Sequence, residues 1–155
     1  MKIDCRIPVN ASKETIWSVI SDYEHMVENI DAITDVIILE RPTSEDSLIG
    51  LKWTEVRTMF GTEAKETMWV TDCVTNEYYK MRAESHEAIY ESKMYIGEEE
   101  GQIFAGMSFD GEAQGLCGKI MMMAMGWMVE GETKKALMKD LEDIKKIAES
   151  KEPKE

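Results

Sequence analysis

The residues that could do chemistry gather in one stretch, residues 48–74, where Glu55 and Arg57 alternate with Trp53 and Glu66 follows in the next segment. A carboxylate or guanidinium facing an apolar interior must be paired, or its pKa moves toward the neutral form. So placed, it would orient the polar end of a ligand or act as an acid or base. Facing water, the same residues would form cross-strand ion pairs such as Arg57 with Glu63 and Glu55 with Lys65. One residue of register separates the two readings, because a slip by one turns every side chain to the other face. Arg82 and Glu84 pose the same question further on. His25 and His86 are isolated from each other and from the three cysteines, and a metal site needs three or four convergent ligands. No metal and no cofactor is therefore expected. No Ser-His-Asp or Cys-His order suggests a nucleophile. Gly111, Gly115 and Gly118 lack the pattern of a phosphate-binding loop.

These groups need elements to hold them, and the most telling element is residues 115–148, which read as one long helix. Residues 120–129 are apolar except for Gly126, with Met121, Met122, Met123, Met125, Trp127 and Met128 among them. A helix apolar all round must be covered on most sides, by protein or by something bound. Methionine fills irregular core gaps, and it also makes adaptable walls at promiscuous binding surfaces. From Leu137 the pattern becomes a stripe of Leu137, Leu141, Ile144 and Ala148, the spacing of an amphipathic surface helix. Gly126 and Gly131 mark either close packing or a bend that lets the methionine-rich half move.

Ahead of that helix the chain reads as strand, two short helices and six strands. Residues 2–9 alternate as a first strand. Asn10 or Ser12 can cap a helix whose buried side is Ile16, Trp17, Val19 and Ile20, and residues 25–30 suggest a second, shorter one. Strands follow over 33–40, 48–60, 62–74, 78–85, 88–96 and 102–112, with an acidic turn over 97–101. Short connections mean an antiparallel meander, and a seven-stranded sheet of this kind twists and curls. The long helix would lie along its concave face.

At 155 residues with 43% hydrophobic and 32% charged residues, the composition is that of one globular domain, set at 1–149 with a frayed charged tail over 150–155. A net charge of −13 argues against nucleic acid and anionic membrane surfaces. Three widely spaced cysteines argue against a disulfide framework and for a reducing compartment. No secretory signal pattern is visible, and the apolar run in 120–129 is about half of the ~20 residues a bilayer span needs. The expectation is a soluble, cytoplasmic protein without stable membrane insertion, a monomer or weak dimer.

In this order the landmarks resemble the START-like or SRPBCC superfamily, and within it the polyketide cyclase/dehydrase and lipid-transport-like group. They are VNASKETIW over 9–17 with Ser21, Asp22 and Tyr23, then GLKWTEVR over 50–57 with Gly61 three residues after Thr58. Glu66 and Val70 follow, and finally DLEDIK over 140–145. The resemblance implies an α+β helix-grip fold: a seven-stranded curved antiparallel sheet wrapped around a long C-terminal helix, with a cavity for a hydrophobic ligand. The superfamily shares no catalytic set, so resemblance alone selects no function. The leading expectation is binding of a small hydrophobic molecule, a lipid or polyketide-like aromatic. Its wall would be Trp53, Met68, Phe104, Met122, Met125 and Trp127, with Arg57 and Glu66 as polar handles. The alternatives are an aromatase/cyclase-like enzyme and a co-chaperone-like protein-interaction module.

Overall fold

The computed structural model describes residues 1–59, 61–85, 88–113 and 116–153, with backbone alone for 85, 113 and 116–129. The order is β1 (Lys2–Pro8), α1 (Lys13–Ile20), a 3-10 turn (Tyr23–His25), α2 (Met26–Asn29), β2 (Ile33–Glu40), β3 (Lys52–Met59), β4 (Thr62–Val74), β5 (Tyr78–Ser85), β6 (Ala88–Glu99), β7 (Gln102–Ala113) and α3 (Leu116–Lys151). One seven-stranded antiparallel sheet runs β1-β7-β6-β5-β4-β3-β2. Strands two to seven are thus a simple meander, and β1 joins it beside the last of them. The described part of α3 packs against β1, β7 and α1. This is the helix-grip arrangement that the order of elements suggested.

Burial follows the alternation of the strands and the stripe on the helix. Ile3 and Cys5 of β1, Trp53 of β3, Val70 of β4, Tyr79 and Met81 of β5 and Met94 of β6 share one core with Leu137, Leu141, Ile144 and Ala148. Each large apolar side chain so buried contributes roughly 1.5–3 kcal/mol. The helix outlasts its apolar stripe. It continues to Lys151, and beyond it the Glu152 carboxylate accepts the Ser12 backbone N–H at 2.7 Å. That hydrogen bond holds the Glu152 carboxyl below its ordinary range. The start of α1 thus gives a donor to a carboxylate just past the end of the helix.

Ser12 also caps α1, its hydroxyl accepting from Thr15 N at 3.1 Å. Ser12→Ala should lower stability by about 1 kcal/mol, seen as a lower urea midpoint with an unchanged slope. An unchanged midpoint would mean that the cap is dispensable.

Two strand boundaries differ from the pattern. Residues 48–51 form a turn closed by Leu51 N to Leu48 O at 3.0 Å, so β3 starts later than expected. The acidic turn is shorter than 97–101: only Glu100 and Gly101 leave the ladder, at φ of 51° and 80°. That pair of positive angles is the twist-matched two-residue hairpin turn. Gly97 stays inside β6, where the Phe104 ring lies over it. A Cβ there would stand 2.3 Å from the ring.

Candidate ligand-binding site

Between the strands and α3 lies a cavity of about 380 Å³, within the size range of small-molecule sites. Its apolar wall includes Trp53, Met68, Met81, Met94, Met107 and Phe109. Glu55, Arg57, Glu66, Thr133 and Asp140 bring polar groups to it. The wall is built by parity. On β3 the residues Trp53, Glu55 and Arg57 point inward, and the register sets Trp53 opposite Met68, Glu55 opposite Glu66 and Arg57 opposite Ala64. Over the small Ala64 the guanidinium has room to reach across to the helix.

It does so in full. Arg57 Nε donates to Glu55 Oε1 at 2.8 Å, and its Nη2 donates to Asp140 Oδ2 at 2.9 Å. Glu55 Oε2 also receives the Trp53 indole N–H, at 3.4 Å. The side chains of Arg57, Glu55 and Asp140 are 16%, 11% and 4% exposed, so this is an ion triplet removed from water. Asp140 Oδ1 is buried and has no partner among the described residues. Burial pushes the Asp140 carboxyl up, outweighing the downward pull of the Arg57 guanidinium, and the Glu55 carboxylate adds to the push. Burial also acts to lower Arg57, but the two carboxylates more than offset it and hold the guanidinium above its ordinary range.

A carboxyl whose pKa is raised on folding contributes stability that is complete below its unfolded pKa and is lost as pH rises through the folded one. Asp140→Asn removes that contribution. The stability advantage of the natural protein over the variant should therefore be largest in acid and shrink as pH rises above the ordinary carboxylate range. Denaturant midpoints of the pair across that range would show it. Parallel pH profiles would mean that Asp140 titrates as it does in the unfolded chain.

The solvent-face alternative for the hairpin is overturned. Glu63 lies opposite Thr58 and Lys65 opposite Val56, on the face away from Arg57 and Glu55. Arg82 and Glu84, in contrast, do form the bland outer pairing. Arg82 reaches Glu84 at 2.8 Å and Glu91 at 3.1 Å.

Of the residues expected to build the site, Trp53, Arg57, Glu66 and Met68 line the cavity. The side chains of Met122, Met125 and Trp127 lie outside the described residues. Phe104 is misplaced by the expectation. It pairs with Pro8 and Gly97 on the outer face, edge-on to Tyr95 at 6.3 Å and beneath the Arg6 guanidinium at 4.6 Å. Five residues on, with the opposite parity, Phe109 takes the inner position and stacks on Tyr90 at 5.6 Å. His25 sits outside the site and pairs with Asp22 at 2.8 Å. His86 lies outside the described residues.

Two features carry a sequence signal beyond the expected set, which held Met68 alone of the strand methionines. Met68, Met81, Met94 and Met107 are spaced thirteen residues apart, one on each of four consecutive strands. The register makes Met94 and Met107 direct partners and leaves the others two positions off, so they form an oblique row within side-chain reach. Asp140 is three residues after Leu137 and four before Ile144, hence on the apolar stripe and not among the solvated charges. Thr133, four before Leu137, is on the same side and is buried.

Fold and cavity together define a helix-grip fold with an internal, largely apolar cavity that has a buried ion triplet in its wall. Solved structures agree on the fold. A protein of Thermus thermophilus superposes with a TM-score of 0.78 at 9% identity, over 99% of this chain and 100% of the other. The aromatase/cyclase Zhui from a Streptomyces species, strain R1128, gives 0.74 at 16% identity, over 96% and 93%. A START superfamily protein from Mycobacterium smegmatis gives 0.63 at 19%, over 92% and 98%. No protein-family model and no curated protein sequence matches the chain. Among the described residues no helix is long and apolar enough to cross a membrane, and no group of three or more His, Cys, Asp or Glu could hold a metal ion.

Proposed function

We propose that the protein binds a small hydrophobic molecule, such as a lipid or polyketide-like aromatic, in the cavity between the sheet and α3. The observation that carries this reading is the oblique row of four methionines facing a hollow of about 380 Å³. Apolar surface buried there is worth roughly 25 cal/mol per Å² to a ligand, and methionines can repack around different shapes. Arg57, Glu66 and Asp140 would orient the ligand's polar end. An open interior weighs against a protein-interaction module that works only through its acidic exterior. Free thiols at Cys5 and Cys73 fit a reducing cytoplasm, where the chain would act as one domain, monomeric or weakly dimeric. Native mass spectrometry of gently purified protein tests this through adduct mass, and a thermal-shift panel of lipids and aromatics tests it independently. Apoprotein alone, with no shift across the panel, overturns it.

One observation favours a second reading, an aromatase/cyclase-like enzyme. Asp140 lines the cavity with a carboxyl whose pKa burial has raised and one oxygen of which has no partner among the described residues, which suits a proton-transfer group. On that reading Asp140→Asn would abolish turnover of a cyclisable substrate, while the affinity for its apolar body would change far less.

A further inference from the structure

The polar groups of the cavity do not balance in charge, and the imbalance says which heads they accept. Arg57 is shared between Glu55 and Asp140, so its single positive charge already faces two negative ones. Glu66, directly opposite Glu55 in the sheet, adds a third carboxylate, and no cation pairs with it among the described residues. Asp22 also lines the cavity. Among the described residues two other cations lie at its margin: Arg82 is paired with Glu84 and Glu91 on the outer face, and the Met1 ammonium, which donates to Gly111 O at 3.0 Å, leaves the carboxylates in excess. Within this acidic setting Asp140, whose side chain lines the cavity, has a buried oxygen with no donor among the described residues. Glu55, by comparison, has a donor on each oxygen.

We propose that the ligand's polar head is a hydrogen-bond donor, a hydroxyl or a protonated amine received by the Asp140 carboxylate, and that carboxylate and phosphate heads are turned away. A buried acceptor left without a donor loses its hydration and gains nothing in return, so a donor arriving with the ligand restores what folding removed. An anionic head would meet three carboxylates against one guanidinium where screening is weak. An amine would gain both the hydrogen bond and the charge, and an alcohol the hydrogen bond alone. The inference rests on the binding function proposed above, and it narrows the ligand to apolar bodies with neutral or cationic donor heads.

Calorimetric titration of the full chain with matched sets tests it: decanol, decylamine and decanoate, and naphthylmethanol, naphthylmethylamine and naphthoate. In each set the alcohol or the amine should bind about tenfold or more tighter than the carboxylate. An amine tighter than its alcohol identifies a cationic head, and equal affinities a neutral one. Asp140→Asn should bring amine and carboxylate to within about threefold of each other. Glu66→Gln should narrow the gap in the same direction, and it serves if the Asn variant does not fold. A carboxylate that binds as tightly as its partners overturns the head assignment and leaves the binding function standing. Failure of every compound in both sets overturns the two together.

Discussion

Arg57→Met should cost about 3–5 kcal/mol of folding free energy near neutral pH, the loss expected when one member of a buried ion pair is removed. The guanidinium is what makes two buried carboxylates tolerable. Without it Glu55 and Asp140 face each other out of water, with only the Trp53 N–H on one of them. Methionine nearly matches the volume of the arginine stem, so the loss reads charge and hydrogen bonding more than packing. Two controls separate the causes. In acid the loss should shrink, because protonated carboxyls no longer need the cation. The triple variant Glu55→Gln, Arg57→Met, Asp140→Asn should recover most of the stability, since replacing a whole buried ionic group is often close to neutral. Guanidinium denaturation at several pH values measures all three. A loss below about 1 kcal/mol would place the pair in the range of solvated surface bridges and remove the case for a dry triplet.

The same triplet shows where reading the sequence succeeded and where it stopped. Element order was legible because turn residues and alternation punctuate the strands cleanly, and the order alone admits few topologies. The long helix was legible for the same reason, since its stripe holds one period from Leu137 to Ala148. The inward face of β3 was not, because Trp53, Glu55 and Arg57 alternate equally well in either register. Only the position of the α3 carboxylate, which Arg57 reaches across the interior, distinguishes them. Asp140 does not stand out as a site residue in the sequence because Lys139, Glu142 and Asp143 surround it with charge. Composition drowned the helical phase that sets it apart. Phe104 failed through parity: aromatic residues occur on both faces of β7, and the ring that covers Gly97 from outside resembles in sequence the one that faces the cavity. Of the strand methionines only Met68 stands in the expected wall, because the dense run on the helix outweighs single residues spaced thirteen apart. The strand methionines line the cavity, evenly spaced and one per strand.

Ser92→Phe should lower affinity for the tightest-binding apolar ligand by about fifty- to hundredfold while leaving stability within about 1 kcal/mol of the natural protein. Ser92 faces the cavity from β6, opposite Met81 on one neighbouring strand and Phe109 on the other. A benzyl group there would project into the space a ligand needs and remove roughly 100 Å² of its apolar contact, about 2.5 kcal/mol. The same group inside a filled core would be overpacked and would cost typically 1–3 kcal/mol. Stability and affinity therefore move apart only if the hollow is real and is the place where ligands go. Ser92→Ala, which adds no bulk, should leave affinity nearly unchanged. Calorimetric titration and urea denaturation of the two variants read both quantities. Undiminished affinity in the Phe variant would put the ligand elsewhere, and a collapse in stability would mean that the interior has no room to spare.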